Sequence, residues 1–132
     1  MTLSFTILAV AAAMTITGAV DRVRDGDTVE VDGTPIRLHG VAAPELSEPG
    51  GSAAKSFMTD LVARRTVRCQ LTGRRSYDRL IGRCFLDGQD IGAAVIGAGL
   101  ARDCPRFSGG RFAADETEAS RRLPLPPYCR AR

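Results

Sequence analysis

The stretch V-R-D-G-D-T-V-E-V-D-G-T-P-I-R-L-H-G-V-A-A-P-E, from Val23 to Glu45, decides how the chain folds. Val29 and Val31 alternate with Thr28 and Glu30, and Ile36, Leu38 and Gly40 alternate with Arg37 and His39. Period-2 alternation predicts two half-buried strands. Asp32-Gly33 between them is a hairpin signal, because glycine tolerates the positive φ of a tight turn. Closing the hairpin brings Asp25 and Asp27 towards Arg37, Pro44 and Glu45. Carboxylates and an arginine then gather at one end of a sheet, which is a candidate metal and phosphate site.

Outward from this hairpin, Thr15 to Arg24 supplies a strand before it, and Ala42 to Gly51 a Pro- and Gly-rich loop after it. Ser52 is the expected N-cap of a helix. Ala53, Ala54, Phe57, Met58, Leu61 and Val62 then recur at helical spacing, with Lys55, Asp60, Arg64 and Arg65 on the other face. Thr66 to Leu71 alternates again, Thr72 to Asp78 reads as a polar loop, and Leu80 to Leu86 as a returning strand. A short helix is expected from about Asp90 and a last one over Phe112 to Arg122. Leu123-Pro124-Leu125-Pro126-Pro127 forbids its continuation. Five strands with a helix between the third and fourth is the plan of an OB-fold, a five-stranded Greek-key barrel, here of α+β class with three helices.

At 132 residues the chain has room for one domain. Of its 18 basic residues all but Lys55 are arginine, giving a net charge of +3. Arg-rich surfaces suit phosphate ligands, although codon bias produces the same composition. Leu3 to Met14 is apolar and uncharged, and Ala11-Ala12-Ala13 follows the pattern of a signal-peptidase site. The expected organisation is a signal peptide or apolar segment over 1–13, a domain over 15–123 and a Pro-rich tail over 124–132. Four cysteines, Cys69, Cys84, Cys104 and Cys129, fit an oxidising compartment, periplasmic or secreted. With no C-x-x-C spacing and His39 the only histidine, a zinc site is not expected.

D-G-D-T-V (Asp25 to Val29), I-R-L-H-G-V-x-x-P-E (Ile36 to Glu45), Y-D-R (Tyr77 to Arg79) and D-G-x-x-I…G-L-A (Asp87 to Ala101) together resemble the staphylococcal-type nuclease, or thermonuclease, family. The resemblance covers roughly Val20 to Arg122. It implies an OB-fold phosphodiesterase that cleaves DNA and RNA with calcium. By position it implies Asp27 as a calcium ligand with Asp25 behind it, and the backbone carbonyl of Ala43 as a further donor. Arg37 would hold a phosphate oxygen, Glu45 would activate water, Arg79 would stabilise the transition state, and Tyr77 would contact substrate. Two departures stand out. Ala42 replaces a metal-binding aspartate, which implies weakened calcium binding and one of three outcomes: poor activity, use of a different cation, or lost activity with the fold kept. Asp78 stands where the family has glycine. The competing reading is a silent OB-fold module that binds nucleic acid or a protein partner.

Four cysteines allow three pairings. Cys69 and Cys84 sit at similar distances from the loop near Arg75 and Ser76, which places them opposite each other on neighbouring strands. Cys104 follows the second helix, and Cys129 lies in a tail with no other evident anchor. The expected bridges are therefore Cys69–Cys84 and Cys104–Cys129. The alternative leaves Cys69 and Cys84 as reduced, buried side chains, since facing cysteines on paired strands often have poor disulfide geometry.

Overall fold

The structure, a computed structural model, describes residues 2–4 and 14–132. The expected leader over 1–13 lies almost entirely outside the described residues. Among the described residues no helix is long and apolar enough to cross a membrane.

Strands β1 (Thr15–Asp25), β2 (Thr28–Val31) and β3 (Thr34–Leu38) form an antiparallel meander. Strand β4 (Val41–Ala42) and helix α1 (Gly51–Val62) lead to β5 (Thr66–Ser76) and β6 (Arg79–Leu86). Strand β5 pairs with β1 and β6, and β6 closes the ring by pairing in parallel with β3. This is the five-stranded barrel with the connectivity of an OB-fold. Strand β7 (Gln89–Asp90), helix α2 (Ile91–Gly97) and β8 (Arg102–Asp103) follow, then short helices α3 (Pro105–Ser108) and α4 (Glu118–Arg122). The core is built from the inward positions of the strands, Val20, Val29, Val31, Ile36, Leu38, Val67 and Leu86. Met58 and Val62 of α1 and Val95 and Ile96 of α2 complete it.

Four sequence expectations shift. Helix α1 starts at Gly51, with Gly50 rather than Ser52 in the cap position and in left-handed conformation. A Cβ on Gly51 would lie 2.0 Å from the carbonyl oxygen of Glu45, so the helix start packs directly on the Glu45 turn. The polar stretch 72–76 continues β5, and the connection shrinks to Tyr77 and Asp78, with Tyr77 at φ +57°. Polarity misleads there because this ribbon stands out into solvent beyond the core. The last expected helix divides into a 3-10 turn over Ala113–Asp115 and α4, with Thr117 capping α4 through its bond from the Ser120 N–H. The additional short helix α3 at Pro105–Ser108 brings the α-helices among the described residues to four, where three were expected.

Both expected disulfides form. Cys69 and Cys84 are direct partners across β5 and β6, with Cα atoms 4.0 Å apart. Cys104 and Cys129 join the start of α3 to the tail.

Candidate active site

One end of the barrel opens into a cleft of about 470 Å³ lined by Asp25, Asp27, Arg37, Glu45, Tyr77 and Arg79. Ala43 lines a second cleft beside the tail, but six of the sequence-expected residues thus line this one. His39, Ser76, Phe107 and Tyr128 share the lining.

The first wall is the D-G-D turn between β1 and β2. The Asp25 carboxylate accepts the Asp27 N–H at 3.1 Å and fixes the turn. Gly26 is required by close approach: a Cβ there would lie 2.6 Å from Cβ of Ala54 on α1 and 2.9 Å from that of Ala43. The buried Asp27 carboxylate accepts the Ala43 N–H at 2.9 Å and lies 3.2 Å from Nη1 of Arg37. Burial raises its pKa to about 7, opposed by Arg37 and the Ala43 N–H and reinforced by Asp25.

Arg37 is placed by the β2–β3 register, opposite Thr28. Its Nη1 also donates to the carbonyls of Leu38, at 3.0 Å, and Val41, at 2.7 Å. All these contacts run through Nη1, which leaves Nε and Nη2 for a ligand. Arg79, the first residue of β6, donates from Nε to the Ser76 carbonyl, from Nη2 to Ser76 Oγ and from Nη1 to Thr28 Oγ1. Thr28 therefore links the two arginines, one as register partner and the other by hydrogen bond. Its buried hydroxyl was not singled out in the sequence, where it reads as one more strand residue.

Glu45 sits at the cleft edge in an exposed turn. The Glu48 carboxylate accepts the Glu45 N–H at 2.8 Å, and the Glu48 N–H returns to the Glu45 carbonyl at 2.9 Å. No hydrogen bond or ion pair engages the Glu45 carboxylate itself among the described residues. Tyr77 is 94% exposed on the β5–β6 turn, and the Arg79 guanidinium stands 5.8 Å from its ring centre. Asp78 does not pair with its neighbour Arg79. It crosses to Arg24 with contacts of 3.1 and 2.8 Å, and this hydrogen-bonded pair lowers its pKa.

His39 is half-buried and lines the same cleft as Arg37. Arg111 donates to its carbonyl at 3.0 Å and stands 3.5 Å from Nδ1. Burial, with Arg111, Arg83, Arg37 and Arg74 adding repulsion, lowers the imidazole pKa.

The donors for a hard cation are few. Among the described residues no three carboxylate, imidazole or thiolate side chains come together. Calcium takes six to eight oxygens. Here Asp27 already serves Arg37 and a backbone N–H, and Asp25 caps its own turn. Ala42 packs with Cys104, Cys129 and Leu125 and lines a second cleft beside the tail. The residues present do not complete a calcium site.

Residues 35–121 match the family described as staphylococcal nuclease homologue. The chain belongs to that family. A succinoglycan biosynthesis protein of Rhizobium meliloti is 35% identical over 86% of this chain and 71% of its own length. An uncharacterized endonuclease of Escherichia coli O157:H7 is 36% identical over 65% of this chain and 60% of its own. One from Haemophilus influenzae is 28% identical over 80% of this chain and 62% of its own. The chain thus spans about three fifths of these endonuclease-named relatives.

Proposed function

We propose that this chain is an exported hydrolase of DNA or RNA phosphodiester bonds, with a divalent-metal site reduced by Ala42. The observation that carries the reading is the convergence of Arg37, Arg79 and the unengaged Glu45 carboxylate on one cleft. Glu45 accepts a proton from water as the water oxygen forms its bond to phosphorus. The bond from phosphorus to the leaving sugar oxygen breaks, and that oxygen takes a proton from solvent. Arg37 and Arg79 hold the phosphoryl oxygens while negative charge builds on them, and guanidinium forks match that geometry. Tyr77 lies beside Arg79 to contact the substrate.

The family's dependence on divalent cations carries over in weakened form. The remaining donors are Asp25, Asp27 and the carbonyl of Ala43, and calcium is the first ion to test. Two disulfides and the apolar segment before Met14 support a periplasmic or secreted location. The domain is proposed to span 15–123, with 124–132 as its tied tail.

The deciding experiment is digestion of single- and double-stranded DNA and of RNA in calcium, magnesium, manganese and EDTA, with Glu45→Gln in parallel. Cleavage that is abolished in Glu45→Gln is the expected result. Ala42 favours one second reading, an OB-fold module that binds nucleic acid or a protein without cleaving. Tight DNA binding with no cleavage in any metal would establish that reading instead.

A further inference from the structure

The tail forms part of the cleft, and nothing in the arginine–carboxylate chemistry requires it to. Tyr128 lines the cleft together with Arg37 and Arg79, and its side chain is 48% exposed. Phe107 of α3, 43% exposed, lines the same cleft. The Cys104–Cys129 bridge brings the two together, because Phe107 lies three residues after Cys104 and Tyr128 immediately before Cys129. Cys129 is fully buried, and the N–H of Cys129 closes a 3-10 turn on the Pro126 carbonyl at 2.9 Å. Tyr128 is therefore held between Pro127 and a bridged, buried cysteine, on a backbone with little freedom left to lose. A half-exposed aromatic ring on a rigid mount is a poor core residue and a good stacking platform.

We infer that Tyr128, presented by the disulfide-tied tail, stacks on an unpaired base next to the scissile phosphate. The inference rests on the nuclease reading of the cleft. A base already stacked inside a duplex cannot offer its face to Tyr128, whereas single strands can. Arg106, exposed beside the cleft residue Phe107, stands 5.4 Å from its ring centre. A backbone-tracking groove with aromatic platforms is the usual architecture for single-strand binding.

The test compares wild type, Tyr128→Ala and Tyr128→Phe on a single-stranded oligonucleotide, on the same strand with abasic residues flanking the cleavage point, and on duplex. KM and kcat come from cleavage, and affinity from fluorescence anisotropy on a Glu45→Gln background. Tyr128→Ala is expected to raise KM and Kd on the single strand by about tenfold or more, the scale of one lost stacking contact, with little change in kcat. Tyr128→Phe should restore both, and abasic sites should erase the difference between wild type and Tyr128→Ala. Cys129→Ser should reproduce the Tyr128→Ala defect by freeing the tail. An unchanged KM in Tyr128→Ala, or an equal loss on abasic strands, overturns the role of the tail while leaving the nuclease intact. A wild-type protein that neither binds nor cleaves overturns the nuclease reading, and this inference with it.

Discussion

At the scale of single residues, Arg37 and Arg79 are both proposed to hold phosphate, yet they are anchored differently. Arg79 is held at all three of its guanidinium nitrogens by Ser76 and Thr28, on a half-buried rim. Arg37 satisfies the Leu38 and Val41 carbonyls and faces buried Asp27. Arg79→Lys is therefore expected to lower turnover by roughly two orders of magnitude, because a planar fork becomes a point charge, with stability changed by less than about 1 kcal/mol. Arg37→Lys should lose activity and also about 1–3 kcal/mol of stability, since it leaves buried polar partners unpaired. Steady-state kinetics beside urea melts separate the two effects, and near-native turnover in both variants would remove the arginines from the mechanism. His39 gives a pH signature of its own. Its folded pKa lies below that of the free imidazole, so the unfolded chain takes up the proton first as pH falls. Its contribution to stability is thus fully present above about 6.5 and is lost as pH falls through the folded value. Wild type should lose more stability than His39→Gln between pH 7.5 and pH 5. Parallel curves would show that the imidazole carries no such linkage.

At the scale of elements, the hairpin from Val23 to Leu38 was legible because two strong local signals agree. Alternation sets the buried face, and Asp32-Gly33 sets the turn, with both residues at positive φ. The paired cysteines were legible for the same reason, since register places them opposite. Residues 72–76 were misread because alternation disappears where a ribbon leaves the core, and only pairing to β6 reveals the strand. Ala42 was legible as a missing carboxylate, but not as part of the cluster beneath the tail, since that contact depends on the distant Cys104–Cys129 bridge. The cluster changes what restoring the carboxylate should do. Ala42→Asp places a charge against Cys104, Cys129 and Leu125, and in EDTA it should cost about 1–3 kcal/mol through burial without a partner cation. Calcium should return part of that loss in the variant and stabilise it more than it stabilises wild type, because only the variant adds a third carboxylate near Asp25 and Asp27. Thermal melts in EDTA and in calcium check both halves. A variant that calcium does not rescue would place the new side chain wholly on the tail side of β4.

Over the whole molecule, the two disulfides constrain different things, and this makes their removal distinguishable. Cys69–Cys84 links two central strands of the closed barrel across 15 residues of sequence. The chain-entropy model assigns such a loop about 3 kcal/mol, and the bridge cannot be lost in the folded state without leaving two small voids in the core. Cys104–Cys129 spans 25 residues, for which the same model gives slightly more. The tail, however, meets the rest of the molecule through few buried groups, chiefly Cys129 and the partly buried Leu125. Once its bridge is cut, the native state can release the tail and regain much of the freedom that the unfolded state gains. The double variant Cys69→Ala/Cys84→Ala should therefore lose about 3 kcal/mol of global stability, and Cys104→Ala/Cys129→Ala clearly less. Local protection should follow the opposite order. Without the tail bridge, the amides of Cys129 and Arg130, which bond to the Pro126 and Pro127 carbonyls, should exchange freely while those of β5 and β6 stay protected. Without the barrel bridge, protection should fall throughout. Hydrogen exchange on both variants reads this directly, and a tail that stays protected after Cys104→Ala/Cys129→Ala would mean that packing around Leu125 and Tyr128 holds it without the bridge.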